Sequence, residues 1–580
     1  VRIAVDTETY GLNWREDGPF FVSVVTDGGG SRSFDLRRGF DESDRAALCG
    51  LMKDATEIFM HNAKFDIHAL MKVGAWCSSW WPKTRDTIVR EYLVDEHRTS
   101  YALDEIAFDR LGRNKIDIVQ ETGIKPEHWF SAPFASVKRY CEQDARLTLE
   151  IGLAQDKALD EQSLRRVERL EMDTLEAVHS METRGVRVDV ERAEGARLAL
   201  HRQMMQLLSE IYSKFGKISP SSSLDLARTL QLKYKQGQWK TPDGHVVPKT
   251  ERGAPRLDEA TLRSLPGELP TMVLQFKYLD KMANTFLAKH IIASASSGYV
   301  QPNINSTKSL SGRGTGTGRL SYDSPALQQI PSRKADAAAL IKPIFLPDPD
   351  ERWVYGDLDQ NEFRVFAHFT GSRELFQAYA EDPKTDFHGM VAQITGLPRK
   401  ASRAGEANAK QVNLGLLFNM GSGLLAKTMG LPYTEKDGRL IPGEEVKKVL
   451  DRYHSAIPGV REINRKCSQL AEAYGYVTTL SGRRIRLPDP EFAYKAAGLM
   501  FQAVAADNNK RNLVLLHRGL QQLGEGRVLM NVHDEYSLSL PDTPQSNEFL
   551  RWASNTIGDA GLKVPLSIEF ASGVNWYDAL

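Results

Sequence analysis

The stretch "VLMNVHDEYSLSL", Val528 to Leu540, sets a His, an Asp and a Glu between two apolar segments. Val528, Leu529, Met530 and Val532 before the trio, and Tyr536, Leu538 and Leu540 after it, alternate as two short strands, so His533 and Asp534 fall at the tip of a β-hairpin. A hairpin can hold one carboxylate out for a metal ion, but phosphoryl chemistry asks for a second one on a neighbouring strand. "RWVYGDLDQNEFR" supplies it: Trp353 to Gly356 reads as a strand and Asp357 stands at its end. Two such carboxylates suit a pair of divalent ions about 3.5 to 4 Å apart, which activate an attacking oxygen and steady a leaving one at phosphorus. A hydroxyl could then attack the α-phosphate of a nucleoside triphosphate. A second acidic set opens the chain: Asp6 and Glu8 in "RIAVDTETYG", Asp66 in "EIFMHNAKFDIHAL", and Tyr140 with Asp144 in "VKRYCEQDARLTLEIGLAQ". These four carboxylates suit the reverse direction, water attacking a phosphodiester, with Tyr140 orienting or deprotonating that water.

Each residue needs an element to aim it. Ile3 to Val5 form a strand that delivers Asp6 and Glu8, and residues i and i+2 of a strand share a face. Asp66 falls in the first turns of a helix whose start is expected near Asn62, and Tyr140 and Asp144 are one turn apart on another. Asn361 onward has helical spacing, and Ser163 to Val186 carries an apolar stripe through Leu164, Val167, Leu170, Leu175, Val178 and Met181. In "NAKQVNLGLLFNMGSG" helical spacing puts Leu414 and Phe418 on the face of Lys410, which offers a cation and an apolar platform to a triphosphate and its base.

Bulk properties narrow the class. At 580 residues the chain exceeds one core and predicts three to five domains or subdomains. With 41% hydrophobic and 26% charged residues it has the composition of an ordered soluble protein. There is no apolar run of about 18 residues and no signal segment, so a cytosolic location is expected. Cys49, Cys77, Cys141 and Cys467 are scattered, which points away from a zinc site or a disulfide framework. The 75 basic and 75 acidic residues cancel, so net charge gives no pointer to nucleic acid. Local charge does: from Gly396 to Gly430, Arg399, Lys400, Arg403, Lys410 and Lys427 oppose only Glu406, and "SGRRIRLP" adds Arg483, Arg484 and Arg486.

The ordered set D-x-E, N-x3-D, Y-x3-D resembles the DEDD 3′-to-5′ exonucleases of the subtype with Tyr, over roughly residues 1 to 155. The order "TGTGRLSYDSPALQQIPSR", "DLDQNEFR", K-x2-N-x-G, "VHDE" and "VPLSIEFASGVNW" closely resembles family A DNA polymerases of the bacterial polymerase I type, over about residues 163 to 580. Together these resemblances imply an α/β multidomain protein. A ribonuclease H-like exonuclease domain at 1–155 would be followed by a right-hand polymerase, with a thumb at 156–310, a palm at 311–380 and 471–580, fingers at 381–470, and no 5′ nuclease.

The implied activity is template-directed addition of dNTPs to a primer 3′ end, with 3′-to-5′ proofreading. Each site would use two Mg2+ ions, for which Mn2+ can substitute. The implied partners are primer-template DNA and dNTPs, handled by a monomer away from membranes; phage encoding fits, and accessory replication proteins stay unassigned. By position, Asp357 and Asp534 resemble the catalytic metal ligands and Glu535 their acidic neighbour, as Asp6, Glu8, Asp66 and Asp144 do in the exonuclease. His388, Lys410, Leu414, Phe418, Glu362 and Gln360 match nucleotide contacts, with Glu362 excluding the ribose 2′ hydroxyl. Arg319, Gln502 and His533 match DNA contacts. Glu406 stands where relatives carry Arg, and Arg403, a turn earlier, is expected to substitute. Asp359, Tyr494 and Gly498 replace a usual Ser, Arg and Asn, while Leu414 and Phe418 replace a usual aromatic and a usual Tyr. A rival expectation is an exonuclease whose polymerase-like half is a DNA-binding clamp of little synthetic activity.

Overall fold

The structure is a computed structural model that describes residues 1–580 apart from 236, 309, 310, 313, 332–334, 402–405 and 437. It divides into two compact units. The first comprises Val1–Thr183, Ile304–Ser321 and Val354–Ala571; the second comprises Arg184–Asn303, Tyr322–Trp353 and Ser572–Leu580. Among the described residues no helix is long and apolar enough to cross a membrane.

The first unit begins with a five-stranded sheet. Strands β1 (Arg2–Thr9), β2 (Pro19–Thr26), β3 (Ser31–Asp35), β4 (Glu57–Met60) and β5 (Thr84–Asp86) stand in the order β3-β2-β1-β4-β5. β1 pairs antiparallel with β2 and parallel with β4. Alternation along β1 decides what each residue faces. Ile3 and Val5 join Val22, Val24, Ile58 and Ile67 in one core, on the side of helix α1 (Ala63–Lys72). Ala4 joins Val25, Phe59, Ala145 and Leu149 on the side of helix α2 (Phe134–Glu161). Asp6 and Glu8 share the parity of Ala4 and therefore face α2. That helix can lie close to the sheet because Gly152 has no Cβ; one placed there would stand 2.3 Å from the Phe59 ring.

Asn62 does precede α1, but its side chain makes no capping bond and its backbone is left-handed at φ 71°. Asp86, at the end of β5, accepts from the Ala63 N–H at 2.8 Å instead, and also caps the helix that follows it by accepting from Ile88 N–H. Helix α3 (Arg165–Arg184) carries the expected apolar stripe, and α2 runs through residue 155 to Glu161.

Later in this unit, β6 (Arg352–Leu358) leads into helix α4 (Asn361–Thr370), and helices α5 (Phe387–Thr395) and α6 (Ala409–Leu417) follow. Helix α7 (Ala496–Leu523) packs against the hairpin of β7 (Arg527–Val532) and β8 (Glu535–Leu540). With β9 (Ile568–Gly573) these strands stand in the order β7-β8-β6-β9. Phe363, Phe366, Phe387, Val412, Leu416 and Phe501 belong to the core that joins α4, α5, α6 and α7.

In the second unit helix Val190–Phe215 packs on helix Glu268–Asp280 and on the wider π-helical turn run Lys281–Ile292 that continues it. A small sheet of Lys233–Lys235, Gln238–Lys240 and Val246–Val247 accompanies a core that includes Leu226, Val247, Leu257 and Leu262. Trp353 stacks on Trp576 with ring centroids 6.0 Å apart.

Candidate functional sites

The hairpin and its partner strand meet as the spacing requires. β8 lies beside β6, and the Leu358 N–H donates to the Asp534 carbonyl at 3.1 Å, so Asp357 and Asp534 stand together at one end of these two inner strands. His533 makes the turn in the left-handed region, at φ 57°. Its carbonyl accepts from Asn509 Nδ2 at 2.5 Å, Asn509 and Asn531 exchange side-chain hydrogen bonds, and the Tyr536 hydroxyl donates to Asn509 Oδ1. Asn531 Nδ2 also donates to the Glu535 carbonyl at 3.0 Å, so the turn is held from below by buried amides.

Burial and the neighbouring charges of Glu535 and Asp534 push the Asp357 carboxyl up to about 7. Asp534 is raised by burial as well, offset by Asn361, whose Nδ2 donates to Asp534 Oδ1 at 3.3 Å, and by the charges of Arg319, His533 and Lys410. Buried acids that resist ionisation are suited to a divalent cation, so this end of the two strands fits a metal on its own donor set.

Asp357 and Asp534 open onto a cleft of about 160 Å³ whose lining includes Gln360, Asn361, Glu362, His388, Lys410 and Leu414. Gln360 enters it from the left-handed N-cap of α4, its Nε2 bonded to the Thr385 carbonyl. Glu362 is paired with Arg319, and burial raises its carboxyl. His388 is 3% exposed; Asn413 Nδ2 donates to its Nδ1 at 3.0 Å, and Asn413 Oδ1 accepts from the Tyr453 hydroxyl at 2.8 Å. Burial and then the Lys410 charge lower His388 to about 4.

Three other expected contacts, Phe418 for the nucleotide and Gln502 and His533 for DNA, are not among the residues lining this cleft. Phe418 caps α6 and packs on Gly498, where a Cβ would stand 2.9 Å from the Phe418 Cβ. The contact explains one departure: the bare backbone at 498 makes room for the Phe418 Cβ and ring. Gln502 is half-buried on α7, one turn beyond Gly498, and His533 is exposed at the hairpin tip. Arg403 lies outside the described residues. Arg399 and Lys400, which the sequence offered only as part of a basic run, line the cleft, with Arg399 paired to Asp386.

The second acidic set also converges. The Asp6, Glu8 and Cys141 ligand atoms lie within 4.8 Å of one another, and Cys141 Sγ is 3.2 Å from Asp6 Oδ2. Thr7, facing the other way from β1, donates to Asp66 Oδ1 from its N–H at 3.2 Å and its hydroxyl at 2.7 Å. Glu8 is raised well above the carboxylate range by burial and then by Asp6 and Asp144; Asp66 is raised by burial and Asp6. Asp144 is pushed to about 7 by burial, against the opposing pull of Lys115. Burial and the nearby acids raise Tyr140, so it stays a phenol and can orient a water far better than it can deprotonate one. Asp144 Oδ1 is buried without a hydrogen-bond partner among the described residues, a cost that a bound cation would relieve. Cys141 and Lys115 were not foreseen here, because neither a lone Cys nor a lone Lys in a polar segment carries a pattern.

Comparison with known proteins places both segments in families. A family model described as 3'-5' exonuclease matches residues 1–158, and one described as DNA polymerase family A matches residues 190–578. "DNA polymerase DpoZ" of Salmonella phage PMBT28 is 39% identical, with 100% of this chain and 97% of the relative covered. Its counterpart in Vibrio phage phiVC8 is 34% identical, covering 99% and 95%. DNA polymerase I of Pseudomonas aeruginosa is 27% identical over 100% of this chain and 63% of its own. The solved POL domain of Pol1 from M. smegmatis, in complex with DNA primer-template and dNTP, superposes with a TM-score of 0.81 at 24% identity, covering 100% of this chain and 96% of that one.

Proposed function

Because the chain belongs to DNA polymerase family A and carries a 3′-5′ exonuclease domain, we propose that its two carboxylate sites divide synthesis from trimming. Asp357 and Asp534, with Glu535 beside them, serve synthesis; Asp6, Glu8, Asp66 and Asp144, with Tyr140, serve removal of the 3′-terminal nucleotide. The observation that carries the first assignment is the Leu358–Asp534 backbone bond, which sets two carboxylates side by side at the mouth of a cleft lined with Lys410, Arg399 and Lys400.

In this reading Lys410, His388 and the two upstream cations hold the triphosphate, and Leu414 meets the sugar and base of the dNTP. Glu362, steadied by Arg319, closes the space a ribose 2′ hydroxyl would need, and Gln360 borders it. Arg319, Gln502 and His533 contact primer and template. Bound at each carboxylate site, two Mg2+ ions, or Mn2+ in their place, supply charge neutralisation at the reacting phosphate and a lowered pKa for the attacking hydroxyl or water. The protein acts as a cytoplasmic monomer on primer-template DNA, with exonuclease at 1–155, thumb at 156–310, palm at 311–380 and 471–580, and fingers at 381–470.

The clamp alternative is disfavoured, because a passive DNA clamp has no use for two mutually repelling carboxylates beside a cationic cleft. Replacing Asp357 or Asp534 with Asn tests the assignment. Extension should fall by about 10³-fold or more, the scale of losing a preorganised charge-stabilising group, while DNA affinity stays within a few fold because phosphate contacts are made by basic residues. Near-normal turnover by either variant would overturn it.

A further inference from the structure

The exonuclease acids share their pocket with a cation. Lys115 Nζ lies 2.5 Å from Asp144 Oδ2 and 4.6 Å from the centroid of the Tyr140 ring. Asp6, Glu8 and Asp144 each feel its charge, which opposes the upward shift of all three. The lysine does not reach this place by chance of a mobile side chain. It stands on the segment between helices Leu103–Leu111 and Ile118–Thr122, and α2 grips that segment on both sides of it. Gln143 Oε1 accepts from the Ile116 N–H at 2.6 Å, Gln143 Nε2 donates to the Asn114 carbonyl at 3.3 Å, and Arg113 pairs with Glu150 at 2.7 Å. Gln143 is the neighbour of Asp144, so one stretch of helix presents the carboxylate and the clamp that brings the ammonium to it.

We propose that Lys115 is an internal counter-ion of the exonuclease site, a positioning residue that holds Asp144 until a divalent ion takes that oxygen and so sets the ion concentration at which trimming begins. The proposal rests on the metal reading of the four acids. An ammonium neutralises part of the carboxylate charge without joining the reaction, but it occupies one of the two oxygens a cation would use and repels a second positive charge a few ångströms away. Asp144 Oδ1, without a hydrogen-bond partner among the described residues, is the oxygen that Lys115 on Oδ2 leaves open to a cation.

The test counts Mn2+ at this site in the full chain. In an Asp357→Asn/Asp534→Asn background, which removes the other carboxylate pair, free Mn2+ is followed by electron paramagnetic resonance, and thermal unfolding is recorded with and without Mn2+. Lys115→Met and Lys115→Gln should bind Mn2+ at least about five-fold tighter than the Lys115 parent, the scale of one removed like charge. Their unfolding temperatures should rise more on Mn2+ addition. Lys115→Arg, which keeps the charge, should bind within about two-fold of the parent. With the polymerase site intact, half-maximal trimming by the neutral variants should shift to correspondingly lower Mn2+. Equal or weaker binding by both neutral variants, with an equal or smaller thermal increment, overturns the proposal. A parent whose Mn2+ binding is absent, or is unchanged by Asp6→Ala/Glu8→Ala, refutes instead the metal reading on which it stands.

Discussion

His388 is a case where surroundings fix the state of a single residue. Buried beside Lys410 and accepting from Asn413, its imidazole is lowered to about 4. An unfolded histidine titrates near 6.5, so the folded protein refuses a proton that the unfolded chain accepts. The stability this contributes is present above about pH 6.5 and is lost as pH falls from there toward 4. His388→Asn should therefore lose roughly 2 to 3 kcal/mol less than the parent between pH 7 and 4.5, read from urea midpoints, and the His388 ring protons should titrate near 4 by NMR. A His388 that titrates near 6.5 would contradict its burial against Asn413. At this scale the sequence was legible where chemistry leaves a pattern: D-x-E on a strand, Y-x3-D on a helix, Asp357 at a strand end. It was not legible where a residue matters through a distant neighbour. Nothing local separates Arg399 and Lys400 from Arg403 in one basic run, and Gly498 makes sense only beside Phe418, 80 residues earlier in the chain.

The hairpin of β7 and β8 was expected from alternation alone, and β6 from its run of apolar residues before Asp357. What alternation could not give is the anchor of the turn. Asn509 sits on α7, one face of which packs under the hairpin, and its amide reaches Asn531 and the His533 carbonyl while its oxygen takes the Tyr536 hydroxyl. An Asn inside a helix looks like an ordinary polar position until its partners 22 to 27 residues away are known. Asn509→Ala should leave these buried groups unpaired, at about 1 to 3 kcal/mol, and loosen Asp534. Extension should drop at least about tenfold, in line with the tight geometry that reacting groups demand, while 3′ trimming keeps its parental rate. Equal loss of both activities would mean that the amide supports the whole fold and not the turn. The N-terminus of α1 teaches the same lesson: Asn62 has the sequence signature of a cap, but the bond comes from Asp86 on another strand.

Within the first unit, helix α3 is tied by buried charge to α7, the helix that packs against the β7–β8 hairpin. Glu171, fully buried on α3, is paired with both Arg483 and Lys510, the latter at 2.6 Å, and Arg483 also binds Asp507 at 2.8 Å. Removing Glu171 leaves the buried Lys510 without a carboxylate partner and Arg483 with Asp507 alone, so Glu171→Ala should cost about 3 to 5 kcal/mol. The unfolding temperature should fall, and both activities should be lost together as the assay temperature approaches it. A variant of unchanged stability would show that the network is dispensable. The net charge of zero hid these pairs, since composition says nothing about which charges meet. Site variants must behave in the opposite way, because the two carboxylate sites share no residue. One assay decides this: a labelled hairpin primer-template incubated with divalent metal, with and without dNTPs, and scored for extension and trimming in the parent, Asp6→Ala/Glu8→Ala and Asp534→Ala. The first variant should extend the primer and leave its 3′ end untrimmed, and the second should trim without extending. Loss of both activities in either folded variant, or retained extension in Asp534→Ala, would contradict the division of synthesis and trimming between the two sites.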